Sequence, residues 1–316
     1  MMIFVNILVV LAMVLLFLYI TFIFAPGIVV YFVAFSRKYN SKPLSERDLS
    51  GTRYEPYKDI LLPAERFAYG LPWKRVSVEG EKGIRLCADY LDNGSDKTAI
   101  FFHGYRGNPQ SNFCTQIKRL NELGWNILGV IERAHGDSGG RMLGLGAAEY
   151  RDVLTWIAYE ASKPGVEKIL LYGSSMGGAA VGFASEHITE PKVRGMVIDC
   201  AFTSPKMPLI HDAKMRRVPY RMVLPIIRLT AWLDQRIDIY KSVSDSLSRN
   251  KIPAFFLHGS GDLTVEIEQG RQNYEACASQ KEFCESAGAQ HILAYPAGDE
   301  TVKKRFDSFL EKYFEN

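Results

Sequence analysis

The sequence is poor in cysteine and histidine and has no strong excess of either charge. Its five cysteines, Cys87, Cys114, Cys200, Cys277 and Cys284, are odd in number and include no Cys-x-x-Cys pair. That excludes a disulfide framework and the spacing of a structural zinc site, and the cysteines read as small buried hydrophobes. A formal net charge of +3 over 316 residues does not mark a nucleic-acid binder, and no basic stripe interleaves with aromatics. Internal repeats and low-complexity tracts are also missing.

Charge is absent from Met1 to Val33, and Ile3 to Ala25 is almost wholly apolar. As a helix, that run crosses roughly 30 Å of hydrocarbon. Cleaved signal peptides carry basic residues before a shorter apolar run, whereas no Lys or Arg precedes this one. Nothing polar interrupts it to give the second face of a buried core helix. The reading is an uncleaved transmembrane anchor over residues 1–35, then a polar, Pro-containing tether and lead-in over 36–72. Arg37, Lys38 and Lys42 follow the span, so the positive-inside rule puts the C-terminal domain on the cytoplasmic side of the cell membrane.

The remaining chain, roughly 270 residues with the tether, is long enough for one large α/β domain with a well-buried core. Trp73–Val78 and Ile84–Leu91, separated by Gly80–Gly83, predict an antiparallel hairpin at a sheet edge. A strand–helix rhythm follows. Strands are expected at Thr98–Phe102, Asn126–Val130, Lys168–Tyr172 and Val193–Ile198, with helices near Gln110–Leu123, Ala148–Ser162 and Met176–Ile188. These strands are short and apolar on both faces, the pattern of a mostly parallel sheet covered by helices on both sides. From about Phe202 to Asn250 the rhythm stops in a helical stretch broken by Pro205, Pro208, Pro219 and Pro225. It resumes with a strand at Ala254–Leu257, a helix near Glu266–Ala278, a weak strand at Glu282–Ser286 and a last helix at Thr301–Phe314. The expected fold class is α/β, one domain over 73–316 with a short helical insert.

Chemistry enters at Gly173-Ser174-Ser175-Met176-Gly177. A serine hydroxyl is a weak nucleophile at neutral pH, so it needs a base, an orienting acid and donors for an oxyanion. Gly-x-Ser-x-Gly alone is a weak pattern. Here the apolar strand Ile169–Tyr172 runs directly into it and a small-residue helix leaves it, the strand–turn–helix setting of a nucleophile elbow. Ser175 is then the nucleophile. The oxyanion would be held by two backbone N–H groups, Met176 after the serine and Tyr105 in the loop His103-Gly104-Tyr105-Arg106-Gly107.

Acid and base should follow the serine in chain order. Phe255–His258 runs into a Gly-rich turn ending in Asp262, at the rim of the sheet where Ser175 also stands. After Asp262 the sequence contains one histidine, His291. Two registers compete for it. With Gln290–Tyr295 as the last strand, His291 lies at the wrong end of the sheet, Asp299 takes the loop position, and the protein is a dead hydrolase. With Glu282–Ser286 as the strand, Ala287–His291 leaves its C-terminal end and His291 is the base. The second register is preferred, because Gly288 suits a strand exit and Asp299-Glu300-Thr301 suits a helix start.

Together these pieces resemble the α/β-hydrolase fold, and within it the membrane-anchored bacterial serine hydrolases of the dienelactone-hydrolase-like and acylaminoacyl-peptidase-like group. The resemblance covers about residues 70–316. It rests on His103-Gly104-Tyr105, Arg133-Ala134-His135-Gly136-Asp137-Ser138-Gly139-Gly140, the serine elbow, His258-Gly259-Ser260-Gly261-Asp262 and Gly288-Ala289-Gln290-His291. It implies a loop-shaping role for His135 and Ser138, and a cap over the site for the insert at 202–250. His187 and His211 read as structural. In the insert, Lys206, Lys214, Arg216, Arg217, Arg221 and Arg228 interleave with apolar residues. That is either a solvated face over a packed one or a surface for anionic lipid.

The expected activity is two-step acyl transfer through a Ser175–His291–Asp262 triad, requiring no metal or organic cofactor. The substrate would be a small or lipid-like acyl compound, an ester first and then a thioester or amide. A peptidase and a non-catalytic membrane-tethered scaffold are the alternatives, and no nucleic acid is expected as a partner.

Overall fold

The computed structural model describes residues 2–37 and 43–315. Lys38 and Lys42, counted toward the positive-inside reading, lie outside the described residues. Helix α1, Met2–Phe35, is 34 residues long and apolar enough to cross a membrane. Its first 18 residues bury no side chain, whereas Gly27, Tyr31 and Phe35 near its end are buried. A π turn at Ile20–Phe24 interrupts the α geometry just before Pro26. Proline lacks an N–H and crowds the carbonyl four residues back, and a local π turn absorbs that conflict.

The lead-in segment is more ordered than its polarity suggested. Helix α2, Lys58–Gly70, buries Leu61, Ala64 and Ala68, one stripe at helical spacing. Pro63 reads as a breaker, yet it stands in the second turn and costs one backbone bond.

Strands β1 (Lys74–Glu79), β2 (Arg85–Leu91), β3 (Lys97–Phe102), β4 (Asn126–Ile131), β5 (Lys168–Ser174), β6 (Val193–Asp199), β7 (Ala254–Gly259) and β8 (Lys281–Ser286) form one eight-stranded sheet. Its order is β1-β2-β4-β3-β5-β6-β7-β8. The β1–β2 hairpin is antiparallel at the edge, β2 pairs antiparallel with β4, and β4 through β8 run parallel. Strands β3 to β7 are apolar on both faces because helices cover both. Two cores result, one holding Trp156, Phe183 and Phe256, the other Phe101, Tyr172 and Phe306.

Helices α3 (Cys114–Glu122), α4 (Tyr150–Ala161) and α5 (Met176–Ala184) follow β3, β4 and β5. The helix expected over Gln110–Leu123 is two pieces, Pro109–Asn112 and α3, with a break at Phe113. Between β6 and β7 the insert folds as α6 (Lys206–Met215), α7 (Tyr220–Gln235) and a short α8 (Val243–Leu247). Helices α9 (Ile267–Ala276) and α10 (Glu300–Leu310) complete the cover. Strand β8 covers Lys281–Ser286, so His291 lies in the loop beyond it, and Asp299 caps α10 by accepting the N–H groups of Thr301 and Val302. The register with Gln290–Tyr295 as a strand does not occur.

Candidate active site

Strand β5 delivers the chain to Ser175, where it must turn at once into α5. Ser175 takes φ 54°, ψ −113°, a conformation that costs a non-glycine residue about 1–3 kcal/mol and persists where surroundings over-determine it. The neighbouring glycines explain how. A Cβ on Gly173 would stand 2.4 Å from the Gly177 carbonyl oxygen, and one on Gly177 would stand 1.9 Å from that of Phe102. The Ser175 N–H donates to Asp199 O at 2.8 Å. The residue is 7 % exposed, with its side chain on the rim formed by the C-terminal ends of the parallel strands.

The loop after β8 brings His291 to that rim. Its Nε2 lies 3.0 Å from Ser175 Oγ and its Nδ1 lies 2.6 Å from Asp262 Oδ2. A carboxylate only accepts, so Nδ1 carries the proton and Nε2 is left to accept the serine O–H. The turn after β7 fixes Asp262, whose Oδ1 accepts the N–H groups of Thr264 and Val265 at 2.8 and 3.0 Å. Burial pushes the Asp262 carboxyl up, but His258, His291 and the Val265 N–H outweigh it and hold it well below the usual carboxylate range. His258 is a partner that chain order did not reveal. Its Nε2 donates to Val265 O at 2.9 Å and lies 3.4 Å from Asp262 Oδ2.

The loop after β3 forms the opposite wall. A Cβ on Gly104 would stand 3.5 Å from Ser175 Cβ, so the backbone of this loop lies against the serine just before Tyr105, whose N–H comes next in the chain. No acceptor among the described residues takes it. Met176 opens α5, and the first N–H groups of a helix have no intrahelical partner.

Two histidines support this wall without touching Ser175. His103 donates from Nδ1 to Gly104 O and accepts the Glu132 N–H at Nε2. His135 donates to Arg133 O and accepts the Arg106 N–H. Burial depresses the pKa of both rings, that of His103 strongly, so both stay neutral ties. Ser138 ties Ile131 O to the Cys87 N–H at 2.5 and 2.8 Å.

Part of the rim was not legible in the sequence. Tyr105 Oη donates to Ala34 O at 2.8 Å and Arg106 Nη2 donates to Val33 O at 2.6 Å. These are end-of-helix carbonyls that α1 cannot satisfy itself. Arg37 donates to Gly136 O and Ser138 O, and residues 35–37 bond to Arg141 and Leu143. On the far side Arg53 donates to Thr264 Oγ1 at 2.6 Å, beside Asp262. None of these pairs follows a spacing rule.

One cluster of potential metal ligands exists among the described residues: Cys200, Asp262 and His291, with ligand atoms within 4.8 Å. Two of these atoms are committed to each other by the 2.6 Å hydrogen bond. Burial raises the Cys200 thiol far above its ordinary value, which keeps it protonated and a poor ligand.

The family profile described as the alpha/beta hydrolase fold matches residues 98–222, the stretch from β3 through the serine elbow into the insert. The chain has the α/β-hydrolase fold. An esterase of this fold, Pf2001 of Pyrococcus furiosus, superposes with a TM-score of 0.65 at 22% identity, covering 88% of this chain and 97% of that one. Acetyl xylan esterase 1 of a Thermoanaerobacterium species gives 0.55 at 17% identity, over 87% and 100%. Among curated relatives, the uncharacterized YqkD of Bacillus subtilis is 24% identical over 68% of this chain and 71% of its own length. Human ABHD12B is 24% identical over 56% of this chain and 48% of that protein.

Proposed function

We propose that this α/β-hydrolase is a membrane-anchored serine hydrolase that cleaves carboxylic esters through an acyl-enzyme. The observation that carries the reading is the continuous hydrogen-bonded chain Ser175 Oγ–His291–Asp262, with a backbone N–H at Tyr105 that no acceptor among the described residues takes. His291 Nε2 takes the serine proton as Oγ attacks the carbonyl carbon, and Asp262 holds the imidazolium that forms. The N–H groups of Tyr105 and Met176 receive the oxyanion. His291 then gives its proton to the departing alcohol, and water repeats the cycle on the acyl-serine. The esterase names of two solved neighbours favour an ester over an amide. Helix α1, with 18 residues that bury nothing, is the anchor, and the charge pattern around it favours a cytoplasmic domain.

A fluorophosphonate probe tests the chemistry. It should label the full-length protein in detergent at Ser175, and Ser175→Ala should abolish labelling while leaving the circular dichroism spectrum unchanged. His291→Ala should slow labelling by at least about 10³-fold. Folded native protein that resists the probe, and therefore behaves as a scaffold, would sink the proposal.

A further inference from the structure

The insert carries an apolar, basic face that the proposed chemistry does not use. Met215 is 73% exposed, Leu233 57%, Leu229 and Trp232 51% and Met222 50%. On α7 the last four, with Pro225, recur three or four residues apart and form one stripe. Lys214, Arg217 and Arg221 are exposed around the α6–α7 corner and have no acidic partner among the described residues. Arg216 and Arg228 differ, being paired with Asp212 and Asp238.

The placement of this face against α1 decides what covers it. Helix α7 packs alongside the last part of α1, with Ile226 against Gly27 and Asp234 accepting from Tyr31 Oη at 2.8 Å. Both pairs advance along the two helices in the same sense, so the start of α7 points back toward Met2. It reaches the π turn at Ile20–Phe24. The preceding stretch, Met2–Tyr19, is 18 residues, about 27 Å as a helix, close to the hydrocarbon thickness of a bilayer. The membrane boundary therefore falls at the level where α7 begins.

We infer that the α6–α7 corner is a second membrane contact. Met215 and Met222 enter the bilayer surface, while Lys214, Arg217 and Arg221 bind anionic lipid headgroups. The inference rests on the anchoring reading of α1. An apolar stripe rimmed by unpaired cations is the chemistry of an interfacial helix, and basic side chains at headgroup depth meet the negative surface potential of anionic leaflets. The shared footing also gives a use to the α1–α7 contact, which holds the corner at a fixed height.

The test uses the full chain in nanodiscs containing phosphatidylglycerol as the anionic lipid. Because all five native cysteines are buried, single cysteines at Met215, Met222, Val10 and Leu123 can be labelled with an environment-sensitive fluorophore. Lipid-borne doxyl groups should quench positions 215 and 222 as they quench position 10, and leave position 123 bright. Quenching at 10 without quenching at 215 and 222 overturns the inference and leaves the anchor standing. No quenching at 10 means that the anchoring reading itself has failed. Shielding of 215 and 222 from aqueous iodide without doxyl quenching points to a protein on this face and also overturns it. Lys214→Glu with Arg217→Glu and Arg221→Glu should cut the corner's quenching by at least about half. An unchanged signal removes the headgroup role.

Discussion

The floor beneath Ser175 and the rim around it are built in different ways. The floor is local: strand, one strained residue and helix, with two glycines whose missing side chains let Phe102 and Gly177 backbone close in. The rim is assembled from distant parts of the chain, with the end of α1 on Tyr105 and Arg106, and Arg53 on Thr264. The floor cannot yield without collapsing, because backbone meets backbone there. The rim is held by single hydrogen bonds, each of which can be lost alone. Substitutions should therefore act as a switch in the floor and as a dial on the rim.

The largest effect is expected at Gly177→Ala, whose Cβ would stand 1.9 Å from a backbone oxygen. No soluble, probe-reactive protein should be recovered. A folded and active variant would break the comparison outright. Next comes Asp262→Asn, which leaves the packing but lets the imidazole take the wrong tautomer. Its ester turnover should fall by roughly 10³–10⁴-fold, measured as kcat on a short p-nitrophenyl ester.

Asp199 sharpens the contrast through stability. Its side chain is fully buried in the floor beside the elbow, one carboxyl oxygen has no partner among the described residues, and burial raises its pKa to about 7. The folded state thus binds a proton that the unfolded chain releases near pH 4, and stability falls as pH rises through that window. Asp199→Asn removes this slope. Relative to the native protein it should gain up to about 3 kcal/mol between pH 5 and pH 8, read by denaturant melts at the two pH values. A gap that does not grow with pH would count against a protonated Asp199.

The smallest effect is expected on the rim. Tyr105→Phe removes one hydrogen bond to Ala34 O, a net contribution of about 0.5–1.5 kcal/mol. It should lower kcat roughly 2–10-fold with KM nearly unchanged, because in the proposed mechanism the loop places an oxyanion donor rather than a substrate contact. A KM effect alone would make Tyr105 a binding residue.

This division also explains what was readable in the sequence. Local sterics leave a local signature, so Gly173, Ser175 and Gly177 announced the elbow, and alternating strands announced the sheet. Chain order pointed to Asp262 and His291, although the polar β8 left two registers open until pairing with β7 set Lys281–Ser286 as the strand. In the sequence helix α2 looks like tether, because Pro63 and its polar neighbours mask a three-residue stripe. The end of α1 shows only hydrophobicity in its sequence. Its carbonyl contacts with Tyr105 and Arg106 join residues 71 and 73 positions apart, and no periodicity encodes such a meeting.

Those contacts make address and competence two aspects of one object. Clipping the chain after Phe35, by shedding or by trimming for expression, would free a domain whose oxyanion loop had lost both of its outer fastenings. If the proposed chemistry holds, the released fragment would keep Ser175 and still turn over more slowly. On the proposed reading, such a protein would limit its full activity to the membrane that holds its anchor.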